Sequence, residues 1–145
     1  KRRDTVGNVQ IRARRGRVMK HRAYEKLSGS SVLVVDDEDI VVDVIRQALS
    51  PMVSLLDTAS NGEEALVKAV RRNFDFILID VKMPVMNGME FFRLIRLLKP
   101  QLSSRIIWIT GDAKSVATGA FIMSSGCRTV EKPFSLCELL EAMAV

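Results

Sequence analysis

Asp80 closes the apolar run FDFILID and is followed at once by VKMP, residues 81–84. An ionised carboxylate ending a buried segment is costly unless something neutralises it. Three other apolar runs end on reactive groups. VLVV (32–35) leads into Asp36 and Asp37, with Glu38 and Asp39 next; RIIWIT (105–110) ends on Thr110, before Gly111 and Asp112; CRTVE (127–131) ends on Glu131, before Lys132 and Pro133. Brought together, these ends place at least three carboxylates, a hydroxyl and an ammonium in one crevice. Carboxylates that close repel one another, and a divalent cation is the simplest remedy at neutral pH. A donor set made only of oxygen favours Mg²⁺, which keeps waters and leaves a position for a phosphate oxygen. Asp80 can then act as a nucleophile toward phosphorus, giving an acyl phosphate. Lys132 would balance the added charge, and Thr110 could donate to a phosphoryl oxygen. Singly, an Asp at a strand end more often caps a helix or forms a turn. The coincidence at successive strand ends favours the chemical reading.

Such convergence needs a particular fold, and the pattern of elements supplies it. VLVV is fully apolar, as in a strand buried on both faces. Ile40, Val41, Val44, Ile45, Ala48 and Leu49 recur at helical spacing before Pro51 stops the helix. VSLLDTA (53–59) reads as the second strand, and SNGEEALVKAVRR (60–72) as a helix with Ser60 and Asn61 at its start and Arg71 and Arg72 at its end. FDFILID, GMEFFRLIRLLK, RIIWIT, AKSVATGAFIMSS with Gly126 as its C-cap, CRTVE and SLCELLEAMAV continue the alternation. Five strand–helix pairs predict an α/β fold: a doubly wound five-stranded parallel sheet with helices on both faces. Ligands of such sheets lie beyond the carboxyl ends of the strands, where the residues above collect.

The chain has 145 residues, 48% of them hydrophobic, enough for one domain with a proper core. No apolar run approaches the roughly 20 residues of a membrane span, and no signal peptide is visible. No Cys/His cluster has zinc-ligand spacing, and Cys127 and Cys137 read as reduced packing residues of a cytoplasmic protein. Charge divides the chain. Residues 1–30 carry ten Lys and Arg against two Asp and Glu, whereas residues 31–145 carry twelve against fifteen. The boundary falls at SGSS (28–31). Two units are expected: a basic leader over 1–30 and a domain over 31–145. VGNVQIRARRGRV suggests a strand or hairpin and MKHRAYEKL a short helix. The leader reads first as a linker or the tail of a preceding domain, since a chain opening on Lys1 reads as a fragment. The sharper reading is an arm that contacts nucleic acid through phosphates. With Tyr24 its one aromatic, base-stacking readout of RNA is not expected.

Over residues 31–145 the chain resembles the receiver domain of two-component response regulators. The resemblance rests on VLVVDDE, IDVKMPVMNGME, the WIT end of the fourth strand, and EKPF. It implies a flavodoxin-like strand order 2-1-3-4-5, with Asp80 as phosphoacceptor and Asp36, Asp37, Asp80 and the backbone carbonyl of Lys82 around Mg²⁺. It further implies Thr110 as switch hydroxyl, Lys132 as phosphate-binding ammonium, and a cis bond before Pro133. MPVMNG would form the loop beside the acceptor, with part of its Met cluster in the core and Met86 or Met89 on the surface. The phosphodonor implied is a sensor histidine kinase or phosphotransfer protein in a phosphorelay. The domain would catalyse only its own phosphorylation and dephosphorylation, then act on an output domain, a partner or a second copy.

Two departures matter. The family usually carries an aromatic three positions before the lysine, and here that position is Thr129, so coupling by an aromatic swing is not expected. Lys82 and Asp112 occupy variable positions beside the acyl phosphate, where they either stand as two independent solvated charges, exposed pairs being worth little, or pair across its mouth and restrict the attacking water. An aspartyl phosphohydrolase is disfavoured, because such enzymes place an acid two residues after the nucleophile, where this chain has Lys82. The remaining alternative is a phosphorylation-independent interaction module of the same fold, with a basic arm for nucleic acid; the intact set of five site residues argues against it.

Overall fold

The computed structural model describes residues 4–143, with side chains from residue 15 onward. The elements run α1 (Asp4–Leu27), β1 (Ser31–Val35), α2 (Asp39–Leu49), β2 (Leu55–Ala59), α3 (Gly62–Arg71) and β3 (Phe76–Ile79). They continue with α4 (Gly88–Leu98), α5 (Pro100–Ser103), β4 (Ile106–Thr110), α6 (Val116–Ser125), β5 (Arg128–Glu131) and α7 (Leu136–Met143). All strand pairs are parallel, in the order β2-β1-β3-β4-β5.

The period-two alternation of side chains sorts the strand residues between two cores. Leu33, Val35, Ile77, Ile79, Ile106 and Trp108 face α3 and α4, meeting Ala65, Ala69, Phe91, Phe92 and Ile95. Val32, Val34, Leu78, Ile107 and Ile109 face the other way, onto Val42, Ile45 and Leu49 of α2 and Leu139, Leu140 and Met143 of α7. Both faces being covered explains why β1, β3 and β4 read as continuous apolar runs.

Helix ends carry the expected chemistry. Asn61 and Asn87 accept from the Glu64 and Glu90 amides at 2.9 Å, capping α3 and α4. Ser135 and Glu138 exchange bonds of 3.0 and 3.1 Å in a capping box that opens α7. Gly126 ends α6 at φ 69°, a left-handed conformation that glycine adopts without cost. Pro100 does not only stop α4: it also occupies the first turn of the short α5, where its missing N–H is not needed.

Three expectations need correction. Residues 6–18 form no strand or hairpin, because α1 runs unbroken from Asp4 to Leu27. The alternation of Val9, Ile11 and Ala13 was too short to outweigh the helix-forming Gln, Arg, Ala, Met and Lys around it. Ala23 and Leu27, four residues apart, anchor its end within the core shared with α7. Cys137 is exposed on α7 and is no packing residue, whereas Cys127 is part-buried against the core; both are free thiols. Finally, Met86 and Met89 are both partly buried and packed on the core, and Pro84 and Val85 are the exposed residues of that loop. Among the described residues, no helix is long and apolar enough to cross a membrane.

Candidate functional site

Hydrogen bonds of the sheet continue one residue past three strands and carry the reactive side chains into the crevice. The Asp36 amide donates to Ala59 O at 3.1 Å, the Asp80 amide to Val35 O at 3.0 Å, and the Lys132 amide to Thr110 O at 2.9 Å. Asp36, Asp80 and Thr110 are buried. The loop after β3 is pinned from both sides: Gly88 N donates to Val81 O and Gly62 N to Met86 O. Within it, exposed Val85 holds φ 67°, a costly conformation for a β-branched residue.

Lys132 stands at the centre. Its Nζ donates to Asp80 Oδ2 at 2.9 Å and to Glu38 Oε1 at 3.1 Å. It also lies 2.7 Å from Asp36 Oδ2, a buried oxygen that it meets as an ion pair. Burial alone would lower the Lys132 pKa; the Asp36 and Asp80 carboxylates, then Glu38, outweigh it and hold the ammonium above the ordinary lysine range. Asp36 goes the other way. Its burial raises the carboxyl above the usual aspartate value despite Lys132 and the Glu38 amide, which donates to Oδ1 at 2.9 Å. The peptide bond between Lys132 and Pro133 is cis.

Carboxylate oxygens of Asp36, Glu38 and Asp80 lie within 4.8 Å of one another. The trio contains Glu38 and not Asp37 of the expected set, and both of these side chains are exposed. In the sequence Glu38 is one of four consecutive acids, Asp36 to Asp39, and no spacing rule selects it from them. The Lys82 amide donates to Asp80 Oδ1 at 3.3 Å, which sets the Lys82 backbone beside the acceptor. A donor set made only of carboxylate oxygens fits a hard divalent cation such as Mg²⁺.

Around the mouth, the Asp112 amide donates to Thr110 Oγ1 at 3.2 Å, leaving the threonine proton free for another acceptor. Lys82 Nζ reaches Asp112 Oδ2 at 2.6 Å, so the two charges pair and do not stand apart. The Lys82 ammonium, and then the Thr118 hydroxyl, hold the Asp112 carboxyl below the usual carboxylate range. On the far side of β5, Thr129 buries a hydroxyl with no partner and lines an open cleft of about 860 Å³ between β5 and α7. No aromatic occupies that place. Trp108, the register partner of Thr129 on β4, packs with Phe92 and Phe121 and donates to Ser125 Oγ at 2.9 Å.

Comparison with known proteins agrees with this geometry. The family model described as "Response regulator receiver domain" matches residues 32–144. Transcriptional regulatory protein ResD of Bacillus subtilis is 31% identical over 116 residues, covering 80% of this chain and 47% of that protein. Response regulator ArlR of Staphylococcus aureus is 31% identical over 111 residues, covering 77% and 49%. The chain therefore spans about half the length of these relatives. Among solved structures, chemotaxis response regulator CheY4 of Vibrio cholerae superposes with a TM-score of 0.69 at 32% identity, over 79% of this chain and 95% of that one. The receiver domain of sensor histidine kinase PA1611 from Pseudomonas aeruginosa, which has a magnesium ion coordinated in its active-site cleft, gives 0.70 at 26% identity, over 81% and 98%.

Proposed function

The chain belongs to the response regulator receiver domain family, and from that premise we propose that Asp80 accepts a phosphoryl group from a histidine kinase or phosphotransfer protein. The observation that carries this reading is the Lys132 ammonium, held 2.9 Å from Asp80 Oδ2 and 2.7 Å from Asp36 Oδ2 at the end of the sheet. An Asp80 oxygen attacks phosphorus, the phosphorus–nitrogen bond of the donor breaks, and the imidazole leaves with its electron pair. Lys132 offsets the charge that arrives, and the Thr110 hydroxyl, already fixed by the Asp112 amide, donates to a phosphoryl oxygen. Asp36, Glu38 and Asp80 would hold Mg²⁺, with Asp37 and the Lys82 carbonyl as further oxygen donors. When bound, the cation supplies charge neutralisation between the carboxylates and the phosphoryl oxygens.

The reaction is self-modification: the product stays on the chain until water removes it. New charge at Asp80 then reorganises the loops after β3 and β4, and an output domain, a partner or a second copy reads the change. A cytoplasmic setting goes with such a role, and contact with nucleic acid would depend on α1. The test is incubation with acetyl phosphate or phosphoramidate and Mg²⁺, followed by intact-mass measurement. Wild type should gain the mass of one phosphoryl group and Asp80→Asn should gain none. An unmodified wild type, or equal modification of the variant, would overturn the reading.

A further inference from the structure

Thr118 is 2% exposed, yet it is polar and lies in the first turn of α6 rather than in the crevice. Its Oγ1 donates to Asp112 Oδ2 at 3.0 Å, and its amide donates to Ser115 Oγ at 3.2 Å. The Ser115 amide returns to Asp112 O at 3.0 Å. Asp112 is thus clamped on its α6 side through both side chain and backbone. On its other side the same Oδ2 meets Lys82 Nζ at 2.6 Å, and its amide orients Thr110 Oγ1.

Resting on the phosphoacceptor reading above, we propose that Thr118 is a positioning residue for acyl-phosphate lifetime, aiming Asp112 so that it holds Lys82 across the mouth of the site. Hydrolysis requires a water oxygen to attack phosphorus from outside. The bond between phosphorus and the Asp80 oxygen breaks, the carboxylate leaves with the electron pair, and inorganic phosphate departs with the water's oxygen and one of its protons, the other passing to phosphate or solvent. Lys82 and Asp112 come from the loops that follow β3 and β4. An exposed pair of long side chains samples many geometries, because holding one costs rotamer entropy and solvent screens the attraction. A buried hydroxyl fixed in a helix removes much of that freedom from Asp112, and a pre-positioned carboxylate keeps the lysine over the approach route. Deleting the hydroxyl frees Asp112, loosens Lys82 and admits water. Thr118 touches no reacting atom, so the effect passes entirely through Asp112.

The purified full chain, phosphorylated with acetyl phosphate and freed of donor, is followed by release of inorganic phosphate in Mg²⁺ buffer. Thr118→Val keeps the volume and removes the hydroxyl; it should release phosphate roughly twofold to fivefold faster, the scale of losing one part-exposed polar contact. Thr118→Ser restores the donor and should return the rate toward wild type. In an Asp112→Asn background, Thr118→Val should add nothing. Thr118→Ala replaces the valine variant if the latter does not fold. Equal rates for wild type and Thr118→Val, failure of the serine to rescue, or an additive effect in the Asp112→Asn background would each overturn the assignment. If wild type takes up no phosphoryl group by mass, the phosphoacceptor reading fails first and the inference with it. If uptake is normal and only these rate differences are missing, the inference alone fails.

Discussion

Lys82 Nζ lies 2.6 Å from Asp112 Oδ2, joining the loop after β3 to the loop after β4 beside the acceptor. The two side chains are 67% and 36% exposed, so the pair is a weak contributor to folding and its importance lies in where it stands. Lys82→Met and Asp112→Asn should each raise phosphate release roughly twofold to fivefold, and the double variant should be no faster than either single one. Rates for both single variants that match wild type would remove the pair from the chemistry.

Lys132 is the one ammonium within reach of Asp36, Glu38 and Asp80 among the described residues, and its side chain is only 14% exposed. Removing one partner of a buried charge cluster leaves the others uncompensated. Lys132→Met should therefore cost about 3 kcal/mol in urea unfolding without divalent cation. Mg²⁺ supplies the missing positive charge, so millimolar MgCl₂ should recover part of the loss. A variant as stable as wild type in chelator would show that the carboxylates are relaxed by solvent instead.

Burial raises the Asp36 carboxyl above its usual range of about 3.9. A metal ligand must be deprotonated, so the sign is fixed: Mg²⁺ affinity is full above the raised value and falls as pH drops through it. Calorimetric titration between about pH 7 and about pH 4.5 should show the decline beginning at a higher pH than an ordinary aspartate would give. Asp36→Asn should abolish that early decline along with most of the affinity. Affinity unchanged down to the ordinary aspartate range would mean that the cation is held without Asp36.

Much of the site was legible because parallel strands buried on both faces show as apolar runs, and the first polar residue after each run marks the crevice. Asp36, Asp80, Thr110 and Lys132 were found that way, and their side chains or backbones meet as the strand order requires. Glu38 is not singled out by the sequence: its side chain stays exposed and comes within 3.1 Å of Lys132 Nζ only through the turn after β1, where the Glu38 amide closes onto Asp36 Oδ1. The course of α1 was equally hidden. Only Ala23 and Leu27 are buried among its described side chains, too few to display a helical period within so charged a segment. Thr118 looked like one more small residue in AKSVATGAFIMSS, since a helix hydroxyl reveals its partner only in three dimensions.

Gly88 marks how tightly the acceptor is framed. A Cβ built there would run into the Asp80 carbonyl oxygen and lie 2.9 Å from Trp108 Cζ3 and 3.0 Å from Val81 Cα. Two of those atoms are backbone and the third belongs to a ring that is wholly buried, so none can swing aside. Gly88→Ala should then cost about 2–3 kcal/mol, as overpacking of a rigid site does. It should also slow phosphoryl uptake, because any relief displaces the Asp80 backbone and moves the carboxylate away from Lys132. Gly16 is the control: nothing lies within 4 Å of a Cβ there, so Gly16→Ala in α1 should stabilise by up to about 1 kcal/mol through helix propensity and leave uptake alone. Uptake by Gly88→Ala at the wild-type rate would mean that the Asp80 carboxylate keeps its place when its backbone is pushed.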